Sequence, residues 1–463
     1  VEAVRYTEGK RQAKKQKKTT DGGKISRMAL SNLGRNKGKT VIVIVSLSLA
    51  IVLLNSIFTF TNAFDMDKYL ANFVSSDFVI ANAKYFNSEY SARKEDLQES
   101  NLTESFIEAC EEQEGFEKGG RIYAATDQVG VKISDYKIPK NMPVNENGEL
   151  CWMWNGEKIP VTKLNEENYQ TMYYGVDDFL FEKMEVYEGE KDLDVIKEKL
   201  ATGNYLIYAV STDDNGMVRK EDMVHHAGDK VTLSFPNGEE REVEILSVIK
   251  ENYYGLSTRY SVIFPYYTTA EVFRKDLSED YLMSYSFDVR DDREEAIQQF
   301  VKNYSEKTEP TMNYESKLKW SNEFESLKGM FTIIGCFLTF VVAVIGILNF
   351  INAILTSIVT RLRELAMLES IGMTKKQIIK MLTLEGIYYA GFTMISSVLI
   401  GMLMSVTILR VLTSQIWFMK YQFVIWPMLV TFPFLLVLGW LVPKAAYHFQ
   451  GKKSMIEQLK NAD

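Results

Sequence analysis

Three cysteines and three histidines are all that 463 residues contain of each. Cys110, Cys151 and Cys336 stand far apart, without the close pairing of a zinc or iron–sulfur site, and His225, His226 and His448 cannot complete a cluster with them. A disulfide between Cys110 and Cys151 and a pair of free thiols both remain open. No HExxH and no GxSxG is present, so the chain offers neither a zinc-protease helix nor a nucleophile elbow. No catalytic residue, metal or cofactor is expected, and no signal peptide is visible. The most informative absence is local. Charge is missing from 41–60, 330–359, 386–409 and 423–442, and each of these stretches is predominantly apolar. About 20 such residues cross a bilayer as a helix.

GRNKGKT at 34–40 falls one residue short of the GxxxxGK[ST] phosphate loop. Such a loop needs a buried strand before it and a helix after it. Before it stands KISRMALSNL, where Ile25, Met28, Ala29 and Leu33 recur at helical spacing, and after it begins the first apolar run. The segment is the basic flank of a span. No Walker motif appears elsewhere, so the chain is not itself an ATPase.

Residues 65–328 carry 53 acidic and 30 basic side chains, a net of −23, while the remainder carries 8 and 23, a net of +15. An acidic block is therefore inserted into a basic, apolar framework. Lys and Arg concentrate in the first forty residues, between the second and third runs (Arg361, Arg363, Lys375, Lys376, Lys380) and after the fourth (Lys444, Lys452, Lys453, Lys460). The excess of positive charge on cytoplasmic loops places these segments and both termini inside, and the acidic block outside. Trp417, Tyr421 and Trp426 would form the outer aromatic belt. The expected fold is an α-helical membrane protein with four transmembrane helices and a large mixed α/β extracytoplasmic domain between the first and second.

The expected boundaries are a basic linker at 1–23, an elbow helix and first span at 24–64, and the outer domain at 65–328. The second span follows at 329–360, an inner helix and loop at 361–380, the third span at 381–412, an outer loop at 413–422, the fourth span at 423–443 and a tail at 444–463. KRQAKKQKKTTDGGK in the linker reads as a solvated tether or as an anchor for anionic membrane lipid. Val1-Glu2-Ala3-Val4-Arg5 parallels Ile456-Glu457-Gln458-Leu459-Lys460 near the other end, which suggests that a similar membrane unit precedes this one.

Within the outer block, DFVIANAKYF and NYLIYAV read as strands, and LTESFIEACEEQE, LDVIKEKLA and EEAIQQFVKNYSEK as helices. VTLSF and EVEILSVIK flank Pro236-Asn237-Gly238 as a hairpin. His225-His226 is expected as an exposed loop pair. The acidic surface is solvated, or docks cationic ligands.

Between the second and third runs stands RLRELAMLESIGMTKKQIIKMLTLEG. Leu365, Leu368 and Ile371 suggest a short apolar stripe ending at Gly372, and Thr374 with Gln377 fits a capping box that opens a new helix. This short helix could seal the membrane interface or fit a groove on a cytosolic partner. In the second run, Gly335 and Gly346 permit close packing, and Asn349 and Asn352 offer bonds between helices.

The same segment resembles the signature of the FtsX-like permease family, the membrane subunits of MacB-type ABC transporters. Arg361, Arg363, Glu364, Leu365, Ala366, Leu368, Ile371, Gly372, Met373, Gln377, Ile378 and Glu385 stand where that signature has its characteristic residues. The segment before the first span is similar to the family's elbow helix and basic flank, and the outer block is loosely similar to the MacB-type periplasmic core.

The resemblance implies a permease subunit in a bacterial cytoplasmic membrane, partnered by a dimeric cytoplasmic ABC ATPase and by a second permease unit or a preceding half of the same chain. It implies that the ATPase grips Arg361, Arg363, Glu364, Leu365, Leu368, Glu369, Ile371, Gly372 and Met373, and that Gly346, Asn349 and Asn352 pack the second span. Export of, or resistance to, cationic peptides or lipid-associated substrates follows as the expected role, with no nucleic-acid partner. A ligand receptor signalling to a kinase and a mechanical activator of cell-wall hydrolases are the alternatives.

Overall fold

A computed structural model describes residues 25–35, 37–87, 94–95, 102–135, 143–154, 157–213, 216–220, 223–251, 265–277 and 281–450. The linker at 1–23 and the repeat at 456–460 lie outside the described residues. The chain forms two compact units. One combines Val1–Ala63, Met330–Thr413 and Tyr421–Asp463, and the other combines Phe64–Gly329 with Ser414–Lys420.

The first unit is helical. Four helices are long and apolar enough to cross a membrane: Thr40–Asn62, Lys317–Thr360, Lys375–Ser414 and Trp426–His448. The chain is a multi-pass membrane protein. An elbow helix, Ile25–Leu33, precedes the first span helix and buries Ala29 and Leu33, as its apolar spacing predicts. The helix that carries the second span starts well before its uncharged run and is unbroken from Lys317 to Thr360. The third runs from Lys375 to Met404, widens into a π turn over Ser405–Leu409 and ends as Arg410–Ser414. In the fourth, Pro427 falls in the first turn of Trp426–Gln450, where its missing N–H costs no bond, while Pro433 and Pro443 lie inside.

Third and fourth span helices meet back to back at two glycines. A Cβ on Gly386 would stand 2.8 Å from the Gly439 carbonyl carbon, and one on Gly439 would stand 2.8 Å from that of Gly386. Gly346 brings the second span against the first, where an added Cβ would lie 3.3 Å from Ser46 O, and Asn349 Nδ2 donates to Ser46 Oγ at 3.1 Å. Asn352 is exposed.

The second unit is a mixed α/β domain. Its strands are β1 (Phe78–Asn82), β2 (Phe116–Ala125), β3 (Gly130–Lys132), β4 (Cys151–Trp154), β5 (Glu157–Pro160), β6 (Asn168–Gln170), β7 (Met172–Val176), β8 (Val186–Gly189), β9 (Tyr205–Val210), β10 (Lys230–Ser234), β11 (Glu240–Lys250), β12 (Pro265–Thr269), β13 (Leu282–Val289) and β14 (Met312–Ser316). The order across the main sheet is β14-β1-β13-β2-β7-β12-β9-β11-β10-β3-β6, with β8 on β11, and β4 pairs with β5 apart. Only β7 with β12 and β9 with β11 run parallel among the described pairs. Helices Glu104–Glu111, Leu193–Ala201 and Glu294–Lys307 form where amphipathic spacing predicts them, and β10 and β11 flank the Gly238 turn. Strand β1 stops at Asn82, whose side chain caps a 3-10 turn over Ala83–Phe86 by accepting from Lys84 N. The core is unusually rich in tyrosine: Tyr173, Tyr174, Tyr266, Tyr267 and Tyr285 are all fully buried.

One expectation is corrected. His225 and His226 are not an exposed pair. His225 is 1 % exposed, with Nε2 at 2.8 Å from Tyr266 OH, and only His226 faces solvent, beside Glu188. The short apolar context of Met223 and Val224, both buried, draws His225 inward. Trp417 stacks on Tyr69 at 5.7 Å, within a cluster that includes Phe73, Trp320, Phe324 and Phe418. Asp65 N donates to Phe418 O at 3.1 Å, so Ser414–Lys420 is a strap of the α/β unit. Cys110, Cys151 and Cys336 are all free thiols.

Candidate functional site between the second and third spans

The long second-span helix breaks at Arg361 (φ −113°, ψ 12°), and a nine-residue helix, Leu362–Ser370, follows. Its end is a Schellman turn. Met373 N donates to Leu368 O at 2.9 Å around Gly372, whose φ is +107°. Leu368 and Met373 both pack on the apolar cluster of the helical unit, which supplies the hydrophobic contact that accompanies this turn. Thr374 then opens the third span with the predicted capping box: Gln377 Oε1 accepts from Thr374 N at 2.8 Å, and Thr374 Oγ1 accepts from Gln377 N at 3.4 Å. Turn and capping box leave the short helix little freedom at its C-terminal end.

Its inner face is anchored by Leu365, 3 % exposed, with Leu362 and Leu368 beside it. A line of charges continues the anchorage. Arg35, just past the elbow helix, grips Glu364 with both Nη atoms, at 2.6 and 2.7 Å. Arg361 Nε stands 3.7 Å from the same carboxylate, and Arg361 Nη1 reaches both oxygens of Glu385 at 3.1 and 3.2 Å. Asn32 of the elbow helix donates to Glu385 Oε1 at 2.6 Å. The Arg361 and Glu385 side chains are 14 % and 5 % exposed. Hydrogen bonding to Arg35, with the charges of Arg35 and Arg361, holds the Glu364 carboxyl below the usual carboxylate range against the opposing effect of burial.

The outer face is the opposite in character. Arg363, Met367, Ser370 and Ile371 are exposed at positions i, i+4, i+7 and i+8, and Ile371 is 84 % exposed. Of the residues singled out from sequence, Leu365, Leu368 and Met373 are thus the base of the helix, Arg361 and Glu364 its charged braces, and Arg363, Ile371 and Gly372 its exposed rim. Glu369 is half-buried. Ile371 does not continue the Leu365–Leu368 stripe, since six residues on a 3.6-residue helix end about 120° away from the start. Met367 was missed, although its spacing of four from both Arg363 and Ile371 marks the exposed face. Asn32 and Arg35 were missed because nothing local pairs them with Glu385 and Glu364. Among the described residues no cluster of His, Cys, Asp or Glu could hold a metal.

Residues 336–452 match the family model described as FtsX-like permease C-terminal. No curated protein matches the chain. Among solved structures it is similar to the periplasmic region of MacB from Actinobacillus actinomycetemcomitans, with a TM-score of 0.30 and 9 % identity over 54 % of this chain and 94 % of that one. It is also similar to the extracellular domain of the noncanonic ABC-type transporter YknZ from Gram-positive bacteria, with a TM-score of 0.26 and 11 % identity over 46 % and 89 %.

Proposed function

We propose that this chain, whose residues 336–452 form an FtsX-like permease C-terminal domain, is the permease subunit of an ABC transporter and that a separate cytoplasmic ATPase presses on the rim of Leu362–Ser370. The observation that carries this reading is an exposed, apolar-centred ridge on a helix braced from every other side. Met367 and Ile371 would enter a groove on the ATPase, and Arg363 would answer its acidic edge. A push on that ridge has two charged routes onward: Glu364 to Arg35 and the elbow helix, and Arg361 to Glu385 at the root of the third span. Bidentate and buried pairs of this kind resist rotation better than exposed single contacts. The second-span helix joins the site directly at Thr360 and runs uninterrupted back to Lys317.

Orientation follows from the same reading. Lys375, Lys376 and Lys380 beside the site belong on the cytoplasmic side of a bacterial inner membrane, with the acidic α/β unit outside. The spans hold few charges, so the cargo is handled outside the bilayer or drawn from its outer surface. A cationic peptide suits the −23 of the outer block, and a lipid-associated cargo suits the same position.

The test is a pull-down from native membranes that compares the parent with Met367→Asp/Ile371→Asp. Both side chains are exposed, so the variant folds. Recovery of an ABC ATPase with the parent and its loss with the variant is the expected result. An ATPase retained equally by both would sink the assignment of the ridge, and recovery of none by either would sink the transporter reading.

A further inference from the structure

A line of buried hydroxyl and amide side chains runs among the apolar ones along the contact between the first and third span helices. The third contributes Thr393, Ser397, Gly401, Ser405 and Thr413, all buried. The first contributes Ser48, Asn55 and Thr59, also buried. The two lines face one another: Ser48 Oγ donates to Thr393 O at 3.1 Å, and a Cβ on Gly401 would stand 3.7 Å from Val52 Cγ2. A four-residue repeat drifts by about 40° at each step on a 3.6-residue helix, which would carry the third-span line away from its partner. The π turn at Ser405–Leu409 takes up part of that drift, and Ser405 and Thr413 stay fully buried.

Most of these groups find partners. Ser397 Oγ donates to Thr393 O at 2.7 Å, Thr413 Oγ1 to Leu409 O at 2.8 Å, and Ser405 Oγ pairs with Tyr421 OH at 2.9 Å. Two do not. Among the described residues Asn55 Oδ1 and Thr393 Oγ1 have no hydrogen-bond partner, although Asn55 is 1 % and Thr393 0 % exposed. Asn55 Nδ2 makes only a long contact of 3.5 Å to Thr59 Oγ1. Asn55 lies seven residues beyond Ser48, about 10 Å further along the helix, so the two groups sit at different depths of one seam. Lipid cannot satisfy them, and a buried polar atom left bare in hydrocarbon is costly.

We infer that the seam between the first and third spans is a water-binding site, with ordered water held at Asn55 and at Thr393. Each position offers the two to four polar neighbours that an internal water needs: the Asn55 amide with the Thr59 hydroxyl, and the Thr393 hydroxyl with those of Ser48 and Ser397. A contact bridged by exchangeable water can shift by small steps without stranding a polar group. The glycine contact of the third and fourth spans has no such slack, so the first span is the side on which the third can move.

Radiolytic hydroxyl footprinting in heavy-oxygen water, on the full chain in lipid nanodiscs, tests this. The reporter is Met428, fully buried with its methyl in the place that a Cβ on Gly401 would take. Met402, next to Gly401 in sequence and 45 % exposed on the outer face of the helix, is the control. Water in the seam labels Met428 several-fold faster than Met402. Asn55→Leu/Thr393→Val removes that excess, and Asn55→Gln/Thr393→Ser retains it. Labelling of Met428 no faster than of Met402, or an excess untouched by the apolar pair, would overturn the inference. Should the apolar pair fail to fold, the comparison of the two methionines in the parent decides alone. Neither result bears on the ATPase pull-down, so the two readings fail separately.

Discussion

Arg361 and Glu385 form a buried ion pair whose net contribution is small but whose disruption is not. Removing one member of such a pair leaves an uncompensated charge and costs about 3–5 kcal/mol. Glu385→Leu should therefore lower the thermal midpoint of the helical unit sharply, while Arg361→Met/Glu385→Leu should recover much of the loss. A double variant no more stable than the single one would count against the pair. Glu364 gives a pH dependence. Its carboxyl is held below its ordinary range, so its contribution is present above the unfolded value and is lost as pH falls through the depressed folded value. The grip of Arg35 should loosen only in acid, below the range in which an unpaired glutamate titrates. Cross-linking of Arg35→Cys to a cysteine on the short helix cannot test this, because it removes the grip. Titration of Glu364 by NMR can. Sequence alone reveals neither partner: Arg35 meets Glu364 across 329 positions, and no local pattern encodes that distance.

At the scale of elements, glycine placement decides most. Gly372 holds a φ of +107° that other residues adopt only under strain, and no neighbour lies within reach of an added Cβ. Gly372→Ala should cost about 1–3 kcal/mol through backbone strain alone, with partner capture weakened as the short helix frays. Circular dichroism melts of the two proteins measure it. Gly386→Leu should be far worse, since its side chain would enter the Gly439 backbone; a folded variant of parental stability would refute that packing. The helices themselves were legible, because uncharged runs, the capping box and the glycine stop are local signals. The strand order was not. An unbroken apolar run marks β9 and hydrophobic alternation marks β10 and β11, but their pairing is set by contacts distant in sequence. The π turn left no readable mark either, since SVTIL is ordinary helix sequence.

For the whole molecule, charge and cysteine chemistry make the sharpest statements. A net of −23 over 65–328 should make binding of a cationic peptide fall steeply between low and physiological salt, where the screening length shrinks to about 8 Å. Affinity flat with salt would remove the electrostatic argument for that cargo. Burial, with Glu111 nearby, pushes the Cys110 thiol up to about 12. The folded chain should thus show slow labelling of Cys110 at neutral pH and a melting temperature indifferent to reductant. Division into an acidic block and a basic apolar framework was plain in the composition; the membership of Ser414–Lys420 in the α/β unit was not, because a seven-residue stretch between two spans looks like a mere connection. That strap also sets a schedule for synthesis. A ribosome adding about 5–20 residues per second finishes Gly329 several seconds before it reaches Trp417. Until then Tyr69 lacks its stacking partner and Phe73 one of its ring neighbours, and the nascent α/β unit carries an uncovered aromatic patch. Chaperones and proteases at the membrane surface would meet that patch first, so a truncation anywhere between the second and third spans should be recognised as unfinished.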